Sequence, residues 1–410
     1  MKILCFGSCN IDMVYGVEQT VRPGETISAR GLDIFPGGKG LNQAIALAKA
    51  GAPVHFAGCI GSDGQMLRDI MVECGVDLRH LRTVGEKTGH AVIQLSRDGE
   101  NAIFIFPGAN GQVDRAHIDS VLAQFASGDI LLVQNEISNL PYLVHSAAQK
   151  GLQVFLNPSP CNETIKAIDL KDIHCLIVNE TESEALTGSR EPEAVGRFVR
   201  EQHPHLTIVM TRGKQGSAYY SASTVMDQCA YRVRTVDTTA AGDTYTGYLI
   251  AALSQGQSPK SAMAYAAAAA AITVSRKGAS VSIPTRKEVL EQMGMLVPCL
   301  VASPSGQVQK AKAYIEKNYA EGSLAGLSRE LGLAPAYTSS WIKKNLGATF
   351  TELLNDRRCE VCAMYLRTTE LSVGEIIDRV GYKNESFFRR KFAKKYGRSP
   401  LRYRNRKDGI

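Results

Sequence analysis

The stretch Val236-Asp237-Thr238-Thr239-Ala240-Ala241-Gly242-Asp243-Thr244 decides how most of this chain is read. It joins a β-like run, residues 231–236, to a helix that starts near Gly242. Its small residues let backbone N–H groups come close to an anion, and the helix N-terminus adds partial positive charge. Such a turn suits stabilisation of a transferring phosphoryl group. Asp243 sits inside it, where a carboxylate can take the proton of an attacking hydroxyl. Taken alone, an aspartate at a helix start is also an ordinary cap.

Working outward, residues 1–296 alternate short β-rich runs with helical patterns, as at 3–7, 54–58, 130–134, 154–157, 176–179 and 207–211. This alternation predicts an α/β fold with a mostly parallel sheet, helices on both faces and ligands at the carboxyl strand ends. Residues 13–35 and 90–106 break the pattern by alternating polar and apolar residues around turns, the second with Arg97-Asp98-Gly99-Glu100 at its apex. They predict antiparallel ribbons added to the main sheet as a lid that excludes water.

Charge divides the chain. Residues 301–410 carry 21 Lys and Arg against 11 Asp and Glu, net +10, while residues 1–300 carry 26 against 29, net −3. A basic module of this size is the electrostatic footprint of a phosphate-backbone binder. Pro298, Ser303, Pro304, Ser305 and Gly306 punctuate a stretch without apolar periodicity, which places a linker at 297–307 between domains 1–296 and 308–410. The most apolar stretch, 262–274, is mostly alanine and too short to span a bilayer, and no secretory layout opens the chain, so a cytoplasmic protein is expected. Ten dispersed cysteines fit reduced, packed thiols, and Cys359-x-x-Cys362 reads as two thiols on a buried helix rather than a zinc site.

Asp237-Thr238-Thr239-Ala240-Ala241-Gly242-Asp243, together with Pro36-Gly37-Gly38-Lys39-Gly40-Leu41-Asn42-Gln43-Ala44, resembles the two signatures of the ribokinase (PfkB) sugar kinase family. The resemblance implies a ribokinase-like three-layer sandwich with a small β lid, ATP as phosphoryl donor and a sugar as acceptor. It implies that Asp243 is the general base and that the amides of Ala240, Ala241 and Gly242 form the anion hole; many members carry Gly at position 240. By the same resemblance Asp12, Gly38, Lys39, Asn42 and Glu136 bind sugar hydroxyls, since a polyol needs several convergent acceptors and a few donors. Asn179 and Glu182, in Asn179-Glu180-Thr181-Glu182, match positions that act near magnesium through its waters. Thr211, Gly213 and Gly216 match the turn along ATP, while Asp237, Thr239, Thr273, Arg276, Gly278 and Ser282 match the ligand positions of a potassium ion, mostly by backbone carbonyls.

After the linker come two similar helical stretches. Ser323 caps a helix ending at Leu331, Gly332 turns the chain, and a second helix covers 335–345. Ser372-x-x-Glu375 is a capping box, Gly381 turns the chain, and a helix covers 385–395, with a long helical pattern at 351–366 between the units. Leu324, Leu327, Leu331, Ile376, Ile377, Val380, Phe388 and Phe392 have helical core spacing. Ile376-Ile377, Val380-Gly381-Tyr382, Ser386-Phe387-Phe388, Phe392, Gly397, Pro400 and Tyr403-Arg404 resemble the arabinose-regulator (AraC) DNA-binding domain over 308–406. The resemblance implies an all-α domain with two helix-turn-helix units on double-stranded DNA, with Lys343, Lys344, Arg389, Arg390 and Lys394 as contacts. The first unit departs from the pattern, with Ser340 where an arginine is frequent and Trp341 at a usually aliphatic position. The whole reads as a homodimeric pentose kinase fused to a transcription regulator, the alternative being a regulator whose kinase-like body only senses a sugar, sugar phosphate or nucleoside.

Overall fold

The computed structural model describes residues 1–98, 100–299, 304–369, 371–382 and 384–404, with the side chains at 304–306, 309, 336 and 344 outside that description. Gly99, at the apex of the expected second ribbon, also lies outside it. The chain forms two compact units, Met1–Val301 and Ala302–Ile410.

In the first unit the strands are β1 (Ile3–Phe6), β2 (Asn10–Gly16), β3 (Gly31–Gly37), β4 (Val54–Ile60), β5 (Asp77–Thr83), β6 (Gly89–Leu95), β7 (Asn101–Phe106), β8 (Ile130–Gln134), β9 (Gln153–Asn157), β10 (Cys175–Asn179), β11 (Thr207–Thr211), β12 (Ser217–Tyr220) and β13 (Val225–Gln228). Nine of them form one sheet in the order β13-β12-β11-β10-β9-β8-β1-β4-β5, parallel except for β12 and β13 at one edge. β1 and β8 are buried along their whole length, which is why β1 and residues 130–133 of β8 read as apolar runs, with the buried Gln134 closing β8. Alternate residues of β1 serve opposite faces: Ile3 and Cys5 join one core, Leu4 and Phe6 the other. Two cores on two faces make the three layers expected. The strand order reverses at β1, between β8 and β4, and a crevice at the carboxyl ends of the strands follows from that reversal.

The expected ribbons form, but not as additions to the main sheet. β2–β3 and β6–β7 are antiparallel pairs that join each other through a parallel β2–β6 ladder, making a separate four-stranded sheet β3-β2-β6-β7. Residues 231–236 form a single bridge, Tyr231 with Pro298, rather than a strand. The span 297–307 divides as well. Val297 and Cys299 are hydrogen-bonded to Arg232 and Ala230 within the first unit, and a helix begins at Pro304, because proline is tolerated in a first helical turn where no N–H is needed.

The second unit has two cores, one holding Leu327, Leu331, Trp341, Ile342, Phe350 and Leu354, the other Cys359, Cys362, Leu366, Ile376, Phe388 and Phe392. The helix Phe350–Thr368 contributes to both and so ties two helix-turn-helix units, Leu324–Leu331 with Pro335–Leu346 and Val373–Arg379 with Glu385–Tyr396. Gly381 at φ 83° allows the second turn; a Cβ there would meet the Ala320 carbonyl at 2.0 Å. Cys359 and Cys362 are buried on that long helix, as expected.

The helix Ala241–Ser254, which begins inside the quoted stretch, packs on the helix Lys39–Lys49, which begins inside the glycine-rich turn. A Cβ on Gly247 would lie 2.4 Å from the Ala46 Cβ and 2.9 Å from the Leu47 amide nitrogen. Gly247→Leu therefore forces the two helices apart, at a cost of about 1–3 kcal/mol. A lower melting temperature by circular dichroism and reduced turnover are expected; an unchanged melt refutes the close approach.

Candidate active site

The site residues lie at the carboxyl ends of consecutive strands. Asn157, Asn179 and Thr211 close β9, β10 and β11, Glu136 follows β8, and Asp12 lies on β2 of the small sheet just beyond β1. The glycine-rich turn reaches this line because its glycines carry no side chain. Gly38 has φ 94°, and a Cβ there would meet the Asn10 amide nitrogen at 2.9 Å; one on Gly40 would meet the Ser8 amide nitrogen at 2.4 Å.

Four carboxylates face one ammonium. Burial pulls the Lys39 pKa down, but Asp243, Glu136, Glu182 and Asp12 outweigh it and hold the ammonium above its ordinary value. Asp12 is pushed up to about 7 by burial and by Glu136, with Lys39 opposing and Asp243 adding to the rise. Burial raises Glu136 too, against Lys39, the Ser8 hydroxyl and the Lys39 amide, which donates to its Oε2 at 3.2 Å. Asp243 is raised by burial and lowered by Lys39, by Gln43, whose Nε2 donates to Oδ1 at 2.9 Å, and by Asn42, whose Nδ2 donates to Oδ2 at 3.1 Å. The Asn42 Oδ1 is buried with no partner among the described residues.

Asp243 is the third residue of its helix, and Ala240 is the cap, held at φ 58° in the left-handed region at a cost of about 1–2 kcal/mol. That conformation leaves the N–H groups of Ala240 and Gly242 with no acceptor among the described residues, while the Ala241 N–H reaches the Thr238 carbonyl at 3.3 Å. Two of the three anticipated anion-hole amides are thus free and the third is weakly engaged. Ala240, Ala241, Gly242, Asp243, Lys39 and Glu182 border one cavity of about 220 Å³. A second, of about 680 Å³, is lined by Thr211, Gly213, Gly216, Tyr231 and Cys299, and shares Thr211, Thr238, Ala241 and Gly242 with the first. Gly216, at φ 92°, is required there, since a Cβ would meet the Gln228 carbonyl at 2.0 Å. Gly242, one of the residues with a free amide, lines both spaces, and Ala240 lines the smaller.

Asn179 and Glu182 form a reciprocal cap, each backbone N–H donating to the other's side chain at 2.9 Å, with the Glu182 carboxylate buried beside Lys39 and Asp243. No group of three or more His, Cys, Asp or Glu that could hold a metal ion directly is present among the described residues, and a magnesium ion at this pair would be held through its waters. Asp237 accepts from the Thr239 N–H and hydroxyl through Oδ1 and from the Gly278 N–H through Oδ2. It thereby clasps the two segments whose carbonyls would ligate a monovalent cation. Thr273 and Ser282 are buried, and the Arg276 side chain turns away to pair with Glu288 at 2.6 Å.

The sequence reading missed Tyr231 and Cys299, which no motif marks. It also missed Ser8, Gln43, Gln134 and Asn157, although Gln43 and Gln134 stand inside or beside the quoted motifs. In the second unit Arg390, Lys343 and Lys394 are exposed, while Arg389 is held by Glu385 and Lys395 by Glu360 and the Asp356 carbonyl. The side chain of Lys344 lies outside the described residues.

A buried carboxylate beside helix amides without acceptors, at two adjoining cavities of about 220 and 680 Å³, is an arrangement suited to a small-molecule kinase. Residues 1–286 match the pfkB family carbohydrate kinases, and residues 327–406 match a helix-turn-helix domain of the AraC type. Haemophilus influenzae ribokinase is 38% identical over 298 residues, covering 70% of this chain and 96% of that one. Among solved structures, Cryptococcus neoformans ribokinase with ADP matches at 35% identity and TM-score 0.63, covering 71% of this chain and 99% of that one. Arabidopsis thaliana ribokinase with ribose and ATP matches at 33% identity and TM-score 0.62, covering 71% and 98%. The chain belongs to the pfkB carbohydrate kinase family and carries an AraC-type helix-turn-helix domain fused behind the kinase.

Proposed function

We propose that this chain transfers the γ-phosphoryl group of ATP to ribose or a close pentose, and that its C-terminal domain binds duplex DNA as a transcription regulator. The observation that carries the enzymatic half is Asp243, set beside unoccupied helix amides and fixed by Asn42 and Gln43. Asp12, Glu136 and the Asn42 oxygen accept hydroxyls of the sugar, and Lys39 balances their charge. Asp243 takes the proton of the attacking hydroxyl while the Ala240 and Gly242 N–H groups stabilise the charge on the phosphoryl oxygens. Asn179 and Glu182 would hold a magnesium ion through its waters, which would supply neutralising charge for the nucleotide phosphates, and Asp237, Thr239, Thr273, Arg276, Gly278 and Ser282 would hold a potassium ion beside the anion turn. A body that only sensed a sugar would need no base, so turnover is the favoured reading.

For the regulator, the exposed cationic side chains of Arg390, Lys394 and Lys343 suit phosphates and base edges. No helix among the described residues is long and apolar enough to cross a bilayer. Homodimerisation is supported by the small sheet, where the edge strand β7 exposes Ile103, Phe104, Ile105 and Phe106, and the other edge exposes Leu32 and Ile34. We infer that nucleotide binding is felt at the segment by which the chain leaves the kinase unit. The last described segment of the kinase unit, 297–299, is hydrogen-bonded to 230–232 (Arg232 N–H to the Val297 carbonyl at 2.8 Å, Cys299 N–H to the Ala230 carbonyl at 2.6 Å). Both segments of that pairing line the larger cavity, through Tyr231 and Cys299.

Asp243→Asn is expected to lose at least a hundredfold in ATP-dependent sugar phosphorylation, the order contributed by a positioned base, with sugar and DNA affinity kept. Turnover near that of the parent removes the base. By hydrogen exchange, ADP should slow the amides of Arg232 and Cys299 along with 213–216; slowing confined to 213–216 would contradict the inference for the segment 297–299. Arg390→Ala should weaken binding to mixed-sequence duplex DNA and lower the salt slope by about 1, and an unchanged slope takes Arg390 out of the interface.

A further inference from the structure

We propose that Gln43 is a positioning residue for phosphoryl transfer, its amide locked by Gln134 and Asn157 so that an N–H points permanently at the Asp243 carboxylate. The proposal rests on the reading of Asp243 as the base. Gln43 lies on the helix Lys39–Lys49 and is wholly buried, as is Gln134 at the end of β8.

The direction of the Gln43 amide is fixed from both ends. Its Oε1 accepts from the Gln134 Nε2 at 2.6 Å, and its Nε2 donates to Asp243 Oδ1 at 2.9 Å and to Asn157 Oδ1 at 3.2 Å. Asn157 cannot turn either, because its Nδ2 donates to the Ile177 carbonyl at 2.9 Å, which leaves only its oxygen for Gln43. A flipped Gln43 would set an oxygen against two oxygens, those of Asp243 and Asn157, and leave the Gln134 amide facing a second donor. The arrangement tolerates one buried orphan, the Gln134 Oε1, rather than release this direction. Turning Gln134 would place its oxygen against Gln43 Oε1 and undo the contact with the base.

Gln43 differs in this from its neighbour. Asn42 donates to the other carboxylate oxygen but leaves its own side-chain oxygen unpartnered, whereas both ends of the Gln43 amide are engaged by protein. Its effect on the reaction therefore passes through Asp243. An N–H on the ionised form keeps the base deprotonated in a site crowded with other carboxylates, and it fixes the plane of the group. The charged and titratable groups around Asp243 are Lys39, Glu136, Asp12, Glu182 on the wall of the same cavity, and the Cys5 thiol, the last pushed up to about 12 by burial and hence neutral. None of them is altered by replacing Gln43.

The test is the pH dependence of kcat/KM for ATP and ribose with the full chain. Gln43→Met, which keeps length but donates nothing, should move the acid limb upward by about one pH unit, from the loss of one hydrogen bond to a charged group. Activity should recover at alkaline pH, with the KM for ribose changed less than twofold. Gln134→Leu adds no charge and touches neither substrate nor base, so a smaller shift in the same direction reports the locked amide and serves if Gln43→Met does not fold. A uniform loss at every pH, with the limb unmoved in both variants, overturns the proposal and makes Gln43 a packing residue. Asp243→Asn separates the two claims: if it is inactive while the limb of Gln43→Met stays in place, the base stands and the lock falls. If Asp243→Asn turns over, the base reading itself fails.

Discussion

One ammonium among four carboxylates is the arrangement on which the rest of the kinase unit depends. Lys39 is held at the start of its helix by a turn that only glycines can make, and Asp12, Glu136, Glu182 and Asp243 arrive from four separate elements. That charge opposes the burial that raises Asp12, Glu136 and Asp243, and so favours their ionised forms. The geometry around it serves the same end. The three-layer fold sets the carboxyl ends of β8, β9, β10 and β11 along one line, and the Gly247 contact brings the Asp243 helix down onto the Lys39 helix.

Most of this was legible where a backbone requirement leaves a mark in the residues. The Gly37-Gly38-Lys39-Gly40 run records a turn pressed against Ser8 and Asn10, and the Thr-Thr-Ala-Ala-Gly-Asp run records a helix start with bare amides. Buried parallel strands are legible as continuous apolar runs, and Ser372 with Glu375 as a reciprocal cap. Pairing between distant segments leaves no such mark. The two ribbons were visible as antiparallel, but the parallel β2–β6 ladder that makes them one sheet was not. Nor was the attachment of 297–299 to 230–232, since those residues lack periodicity and their bonds are made by backbone. Gln43, Gln134 and Asn157 were hidden for a related reason: an amide states nothing about its partner until the neighbours that fix its direction are in place.

The C-terminal domain follows a different economy. Each helix-turn-helix unit is too small to bury its apolar face alone, and the helix Phe350–Thr368 closes both, giving Phe350 and Leu354 to one core and Cys359, Cys362 and Leu366 to the other. Trp341 completes the first core from a reading helix, which explains why an aromatic is accepted there. Ion pairs spend some of the basic charge internally, at Arg389 and Lys395, so net charge overstated how many cations remain for a phosphate backbone.

The central claim is tested most directly by following labelled γ-phosphate from ATP over a panel of sugars and nucleosides, with and without potassium, and identifying the product. The account predicts stoichiometric transfer to a pentose hydroxyl, ribose above all, with potassium raising the rate. Absence of transfer to every member of the panel by folded, ADP-binding protein would contradict it.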